Sequence, residues 1–328
     1  MKKKKRIWSS LMALTVALAL AGCSSGEAAG DKVVIYTNSD EAASEAMKSA
    51  LNEAGYEGEY VLQSLGTSEL GGKLMAEGEK IEADIVTMSS YFVESAQQEH
   101  DMFTDLTFTT NALEPHPSYY APILANTGSI FVNTEVLKQE GLPMPKSVKD
   151  LAAPEYKGMV SIPNLMDSST GWLLIQAIIN EYGEEEGKTV LHDLIANTGP
   201  HLESSGSGPI KKVQAGEVAA GFGLRYQAVM AKESGLPIEF VDPTEGNFSL
   251  MEAVAVVNKE DETTSLAMEM AETIMKDART ELLEHYPVAL YEGETVSDVN
   301  QPAHPKQLEQ PLTVELLQSH QEFFKAAK

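Results

Sequence analysis

Short β-branched runs alternate with hydroxyl-rich loops and helical stretches along this chain, and that alternation restricts its fold more than any other feature. Val33-Val34-Ile35-Tyr36 reads as a buried strand. Thr37-Asn38-Ser39-Asp40 supplies turn and N-cap residues. Residues 41–54 then carry Ala43, Ala46, Met47, Ala50 and Leu51 at helical spacing, ended by Gly55. The same order recurs as a strand at 59–63, a polar loop at 64–68 and a helix at 69–77. It recurs again as a strand at 83–88 followed by Ser89, Ser90 and a helix start. Strand, polar loop and helix in succession give parallel strands with helical crossovers. A second series starts after the apolar run 128–133, with strands at 158–163, 218–223, 237–241 and 252–258. An amphipathic helix is expected over 171–181 and another helix from Gln227, and residues 265–328 read as mostly helical. The fold class is therefore α/β, and the 328 residues suffice for two domains with sizeable cores.

The N-terminal region has a different character. Lys2, Lys3, Lys4, Lys5 and Arg6 precede an apolar stretch over 11–20, then Leu20-Ala21-Gly22-Cys23. A charged start, a short apolar middle and small residues are the layout of a secretory signal. The stretch is shorter than the roughly 20 apolar residues of a membrane-spanning helix. Leu-Ala-Gly-Cys resembles the bacterial lipobox, which implies lipidation of Cys23 as a new N-terminus. Cys23 is the only cysteine, so the chain can form no internal disulfide. Residues 1–22 are thus expected to be a lipoprotein signal peptide and 23–31 a flexible polar tether. The body would then be lipid-anchored at the outer face of the bacterial cell membrane. The chain has 24 Lys and Arg against 49 Asp and Glu, and without the five basic leader residues the balance is 19 against 49, or −30. So acidic a surface repels nucleic acid and excludes it as a partner.

Open α/β sheets bind ligands beyond the carboxyl ends of their strands. The candidate site is therefore Thr37, Asn38 and Ser39 after the first strand, Thr67, Ser68 and Glu69 after the second, and Ser89 and Ser90 after the third. From the second series come Ser168, Ser169 and Thr170, then Ser205, Gly206 and Ser207, then Arg225 and Tyr226, then Glu245. The 168–171 and 204–208 clusters each precede a helix start, the second marked by Pro209. Free backbone N–H groups and the positive end of the helix dipole make such places anion cradles. The seven histidines have no metal-ligand spacing, so no metal site is expected. Neither a nucleophile elbow, a Walker loop nor a dinucleotide-binding glycine turn is present, so no cofactor is expected.

The order of these segments resembles the solute-binding lipoproteins of ABC importers, and among them the subgroup of ferric-ion, phosphonate and sugar-phosphate binders. The resemblance lies in Val34-Ile35-Tyr36-Thr37-Asn38, Gly66-Thr67-Ser68-Glu69-Leu70, Lys73–Gly78, Ala83-Asp84-Ile85-Val86, Ile130-Phe131-Val132-Asn133, Gly158-Met159-Val160 and Gly216–Gly221. It implies a two-lobe periplasmic-binding-protein fold, with hinge strands near 128–133 and 253–258 and a ligand cleft between the lobes. Lobe 1 would be 31–129 plus 259–328, and lobe 2 would be 130–258. A monomer of this kind would perform no chemistry and would deliver a small anionic solute to ABC permease subunits. Arg225 suits bidentate binding of a phosphonate or phosphate ester. Glu69 or Glu245 could hold an amino group, which makes 2-aminoethylphosphonate the candidate ligand. The first alternative is ferric iron. The iron binders of this subgroup use adjacent tyrosines, whereas Gly223-Leu224-Arg225-Tyr226-Gln227 has one, and the first loop has no histidine. The second alternative is a secreted lipoprotein phosphatase or esterase, which requires a nucleophile–base pair that the sequence does not display.

Overall fold

The structure is a computed structural model that describes residues 32–259 and 263–328. The expected signal peptide, Cys23 and the tether lie outside the described residues. The first series forms β1 (Val33–Thr37), α1 (Glu41–Glu53), β2 (Tyr60–Ser64), α2 (Thr67–Glu77), β3 (Ile85–Ser89) and α3 (Ser90–His100). Asp40 caps α1 by accepting a hydrogen bond from the Ala43 amide. The chain continues through β4 (Ala121–Asn133), α4 (Thr134–Glu140), α5 (Val148–Leu151), β5 (Val160–Pro163), α6 (Thr170–Thr198), β6 (Leu202–Glu203) and α7 (Gly208–Gln214). It ends with β7 (Ala220–Leu224), α8 (Arg225–Glu233), β8 (Ile238–Val241), β9 (Asn247–Val256), α9 (Thr263–Lys276), α10 (Arg279–His285), β10 (Pro305–Lys306) and α11 (Val314–Ala327).

β1 lies between β2 and β3 and runs parallel to both, as the crossover pattern requires. β5 is likewise parallel to β7 and to β6. Two long strands join these parallel sets. β9 pairs antiparallel with β3 over 252–256 and with β4 over 249–254. β4 pairs with β9 along 121–127, then turns to β7 and β8 along 128–133. β4 and β9 are therefore the strands through which both parallel sets are connected.

Three departures from the sequence reading have physical causes. β4 begins at Ala121, earlier than its strongly apolar end at 128–133, because Pro122 conceals the strand character of its first half. α6 runs to Thr198 and breaks only at Gly183, whose φ of 68° a side chain would oppose. Its first turns are not amphipathic: Thr170 to Ile178 are buried without interruption, which marks a core helix. Trp172 in this segment is fully buried and its Nε1 donates to His320 Nδ1 on α11 at 2.7 Å. The C-terminal region is less helical than expected. Residues 286–313 are irregular apart from a short 3-10 turn at Asp298–Asn300 and β10. Among the described residues no helix is long and apolar enough to cross a membrane.

Candidate functional site

A cleft of about 250 Å³ opens beyond the carboxyl ends of β1, β2, β5 and β7. Its walls carry Asn38 and Ser39 before α1, Gly66 and Thr67 at the start of α2, and Ser168, Ser169 and Thr170 at the start of α6. The loop from Ser204 to Ser207, ahead of α7, faces them. Neither Gly66 at the N-cap of α2 nor Ser169 at that of α6 makes a side-chain capping bond. First-turn N–H groups of α2 are thus left to other acceptors, beside a positive dipole end, whereas at the start of α6 the Thr170 amide donates to Ser168 Oγ at 3.3 Å and the Gly171 and Trp172 amides donate to the Ser168 and Ser169 carbonyls.

Close backbone approach assembles this wall. A methyl group at Gly206 would sit 2.1 Å from Thr170 Oγ1 and 3.2 Å from Ser168 Oγ, so only glycine lets the 204–207 loop pack against the start of α6. The Ser205 and Ser207 hydroxyls lie 3.0 Å apart at the same place. Asn38 Nδ2 donates to Thr67 Oγ1 at 3.0 Å and ties the first loop to α2. Ser68, on the exposed side of α2, donates to the Met166 carbonyl at 2.6 Å and bridges to the segment before α6.

The floor is acidic. Glu252 on β9 is 3% exposed, and its carboxylate accepts from Ser39 Oγ at 2.9 Å and Asn126 Nδ2 at 3.0 Å. Burial pushes its carboxyl up to about 7; the Ser39 and Asn126 bonds act against this and the nearby Asp40 charge acts with it. Asp40 accepts hydrogen bonds from both Tyr226 and Tyr286 hydroxyls, which stand 3.3 Å from each other. Burial raises both phenols far above their ordinary range, with Asp40 adding to it. Asp40, Glu41, Asp167 and Glu252 line the cleft, and among the described residues no Lys, Arg or His does.

Of the residues expected from sequence, the fold brings Asn38, Ser39, Thr67, Ser168, Ser169, Thr170, Ser205, Gly206 and Ser207 to one cavity. The others sit elsewhere. Thr37 and Ser89 are fully buried at strand ends, and the Thr37 hydroxyl accepts from Thr87 within the sheet. Ser68 and Glu69 project from α2 outside the lining, and Ser90 begins α3 away from it. Tyr226 stands behind Asp40. Glu245 is wholly buried and accepts from the Lys149 amide at 3.1 Å and Tyr182 hydroxyl at 2.7 Å, which fixes α5 rather than a solute.

Arg225 is the largest correction. It is 4% exposed, and its Nε and Nη2 bind both oxygens of Asp242 at 2.8 and 3.1 Å. Its Nη1 donates to the Val299 and Asn300 carbonyls, and the guanidinium lies 4.4 Å from the Phe240 ring. Burial raises Asp242, but the Arg225 fork and the Ala303 and Asn247 donors hold its carboxyl below the usual range. The fork is spent inside the protein. The sequence reading missed Asp40, Glu41, Asn126, Glu252 and Tyr286. Asp40 alone had a local signal, as the N-cap ahead of α1.

Residues 82–311 match the family of bacterial extracellular solute-binding proteins. An uncharacterized protein of Haemophilus influenzae is 33% identical over 116 residues, which is 35% of this chain and 33% of that protein. The chain thus matches only about a third of that relative's length. Among solved structures, the periplasmic binding protein AfuA from Actinobacillus pleuropneumoniae, with exogenous fructose-6-phosphate bound, superposes with a TM-score of 0.68. The identity is 19%, over 90% of this chain and 93% of AfuA. Iron-bound HitA from Pseudomonas aeruginosa gives a TM-score of 0.70 at 19% identity, over 90% of this chain and 98% of HitA. These likenesses show the two-lobe periplasmic-binding-protein fold.

Proposed function

The chain belongs to the bacterial extracellular solute-binding protein family and is a binding protein, not an enzyme; on that premise we propose that it is the solute receptor of an ABC import system. Its solute is a small phosphonate or phosphate-ester anion. One observation carries the ligand class: α2 opens without a capping side chain onto a cleft walled by the Ser and Thr hydroxyls of the 168–170 and 204–207 segments. Backbone N–H groups at helix starts, with hydroxyl donors around them, solvate a tetrahedral oxyanion without a basic side chain. The cleft volume of about 250 Å³ suits a solute smaller than a typical drug. AfuA, with its sugar phosphate, supports the phosphorus class.

The ferric alternative has less behind it here. Tyr226 and Tyr286 both donate to Asp40 and are held protonated, whereas hard ferric iron requires anionic oxygens. Among the described residues no group of three His, Cys, Asp or Glu is placed to hold a metal ion.

On this proposal the lobes are 31–129 with 259–328, and 130–258. They close about β4 and β9, and the Ser68 bond to Met166 and the Tyr226 bond to Asp40 would join them in the closed form. Lipidation at Cys23 keeps the monomer beside its permease. Isothermal titration of solute-free protein with 2-aminoethylphosphonate, a sugar phosphate and inorganic phosphate tests the reading. Heat with at least one is expected. Silence toward all three, with tight binding of ferric citrate, would overturn it.

A further inference from the structure

We propose that the cleft floor around Glu252 is a second subsite, one that receives the ammonium group of a solute whose anionic end lies at the start of α2 and the facing serine hydroxyls. The inference rests on the phosphonate-type reading above and narrows the class to amino-phosphonates and amino-alkyl phosphates.

The floor is built of acceptors. Ser39 and Asn126 both donate to the Glu252 carboxyl group. The orientation of Asn126 is fixed by that donation, which leaves its Oδ1 buried without a partner. Asn38 donates its amide to Thr67, and its Oδ1 is likewise buried and unpartnered. Buried polar atoms of a native protein ordinarily find partners, so this concentration of orphans beside one carboxylate marks a place for a donor from outside the chain.

The charge points the same way. A carboxylate this buried needs a compensating cation, yet no basic residue among those described lines the cleft. Asp40 has its carboxylate oxygens occupied by Tyr226 and Tyr286 and adds negative charge beside Glu252. A solute carrying only negative charge would be repelled by both groups. An alkylammonium brings three donors, no acceptor and the missing positive charge. The residues first expected to hold an amino group, Glu69 and Glu245, do not line the cavity. Of the four carboxylates that do, only Glu252, from the middle of a connecting strand, is buried.

The test compares 2-aminoethylphosphonate with propylphosphonate, which places a methyl group where the ammonium would be. Titrated into solute-free wild-type protein by calorimetry, the amine should bind more tightly by about tenfold or more, the effect of a charge-assisted contact. In Glu252→Gln the ratio between the two affinities should fall toward one. Equal binding of both ligands by the wild type overturns the subsite and leaves the anion reading standing. Binding of neither overturns this inference, and the anion reading is then decided by the sugar-phosphate and inorganic-phosphate titrations above. A ratio unchanged in Glu252→Gln, with the variant's fold verified by circular dichroism, removes Glu252 from the assignment. The wild-type comparison stands even where that variant fails to fold.

Discussion

The position of Glu252 makes the stability of the empty protein depend on pH in a way that one substitution should remove. Burial pushes this carboxyl from 4.5 in an ordinary setting up to about 7. Between those values the unfolded chain has released the proton and the native state has kept it. The native state therefore binds more protons, and the free energy of unfolding falls as pH rises through that window. The loss is complete above about pH 7 and amounts to roughly 3 kcal/mol, at about 1.4 kcal/mol for each unit of displacement. Glu252→Gln keeps the shape and cannot ionise. Tyr91, Tyr286 and His320 remain in both proteins, so their titrations cancel in the comparison. Urea denaturation of both solute-free proteins should show the variant gaining about 3 kcal/mol on the wild type between about pH 4.5 and about pH 8. Only the change with pH carries the argument, because loss of the Ser39 and Asn126 bonds shifts the whole curve. Parallel curves would refute a buried, uncompensated carboxylate at this site.

Other outcomes follow from single contacts. Gly206→Ala drives a methyl group to 2.1 Å from Thr170 Oγ1, so it should cost about 1–3 kcal/mol of stability and weaken 2-aminoethylphosphonate binding, measured by urea melts and calorimetry. Arg225→Ala strands a buried Asp242 and should lower stability by about 3–5 kcal/mol in urea denaturation; a near-neutral result would place Arg225 outside that ion pair. Wild-type protein mixed with ferric citrate should stay without a visible charge-transfer band, since Tyr226 and Tyr286 are held as phenols on Asp40; a band abolished by Tyr226→Phe would restore the iron reading.

What the sequence could convey was set by how local each cause is. Ser168 to Thr170 and Ser205 to Ser207 were recognisable because helix starts and tight turns are written in neighbouring residues, and the fold brings the two clusters into contact at Gly206. The strand–loop–helix order likewise gave the two α/β series. Arg225 misled because a cation after a strand looks free until its partner is known. Asp242 lies 17 residues on, and only packing joins them. Glu252 and Asn126 sit inside β9 and β4, where apolar neighbours make a polar residue look incidental. Their meeting depends on the antiparallel register of those strands. Tyr286 reaches the cleft from the end of α10, a long way in sequence from Asp40.

The account stands on backbone amides at the start of α2 holding an oxyanion, and nitrogen-15 amide spectra read those groups directly. Titration of labelled, solute-free protein with 2-aminoethylphosphonate should move the Thr67 and Ser68 amides first and most, in the direction of stronger hydrogen bonding. Saturating shifts confined to other parts of the molecule, with these two amides unmoved, would contradict it.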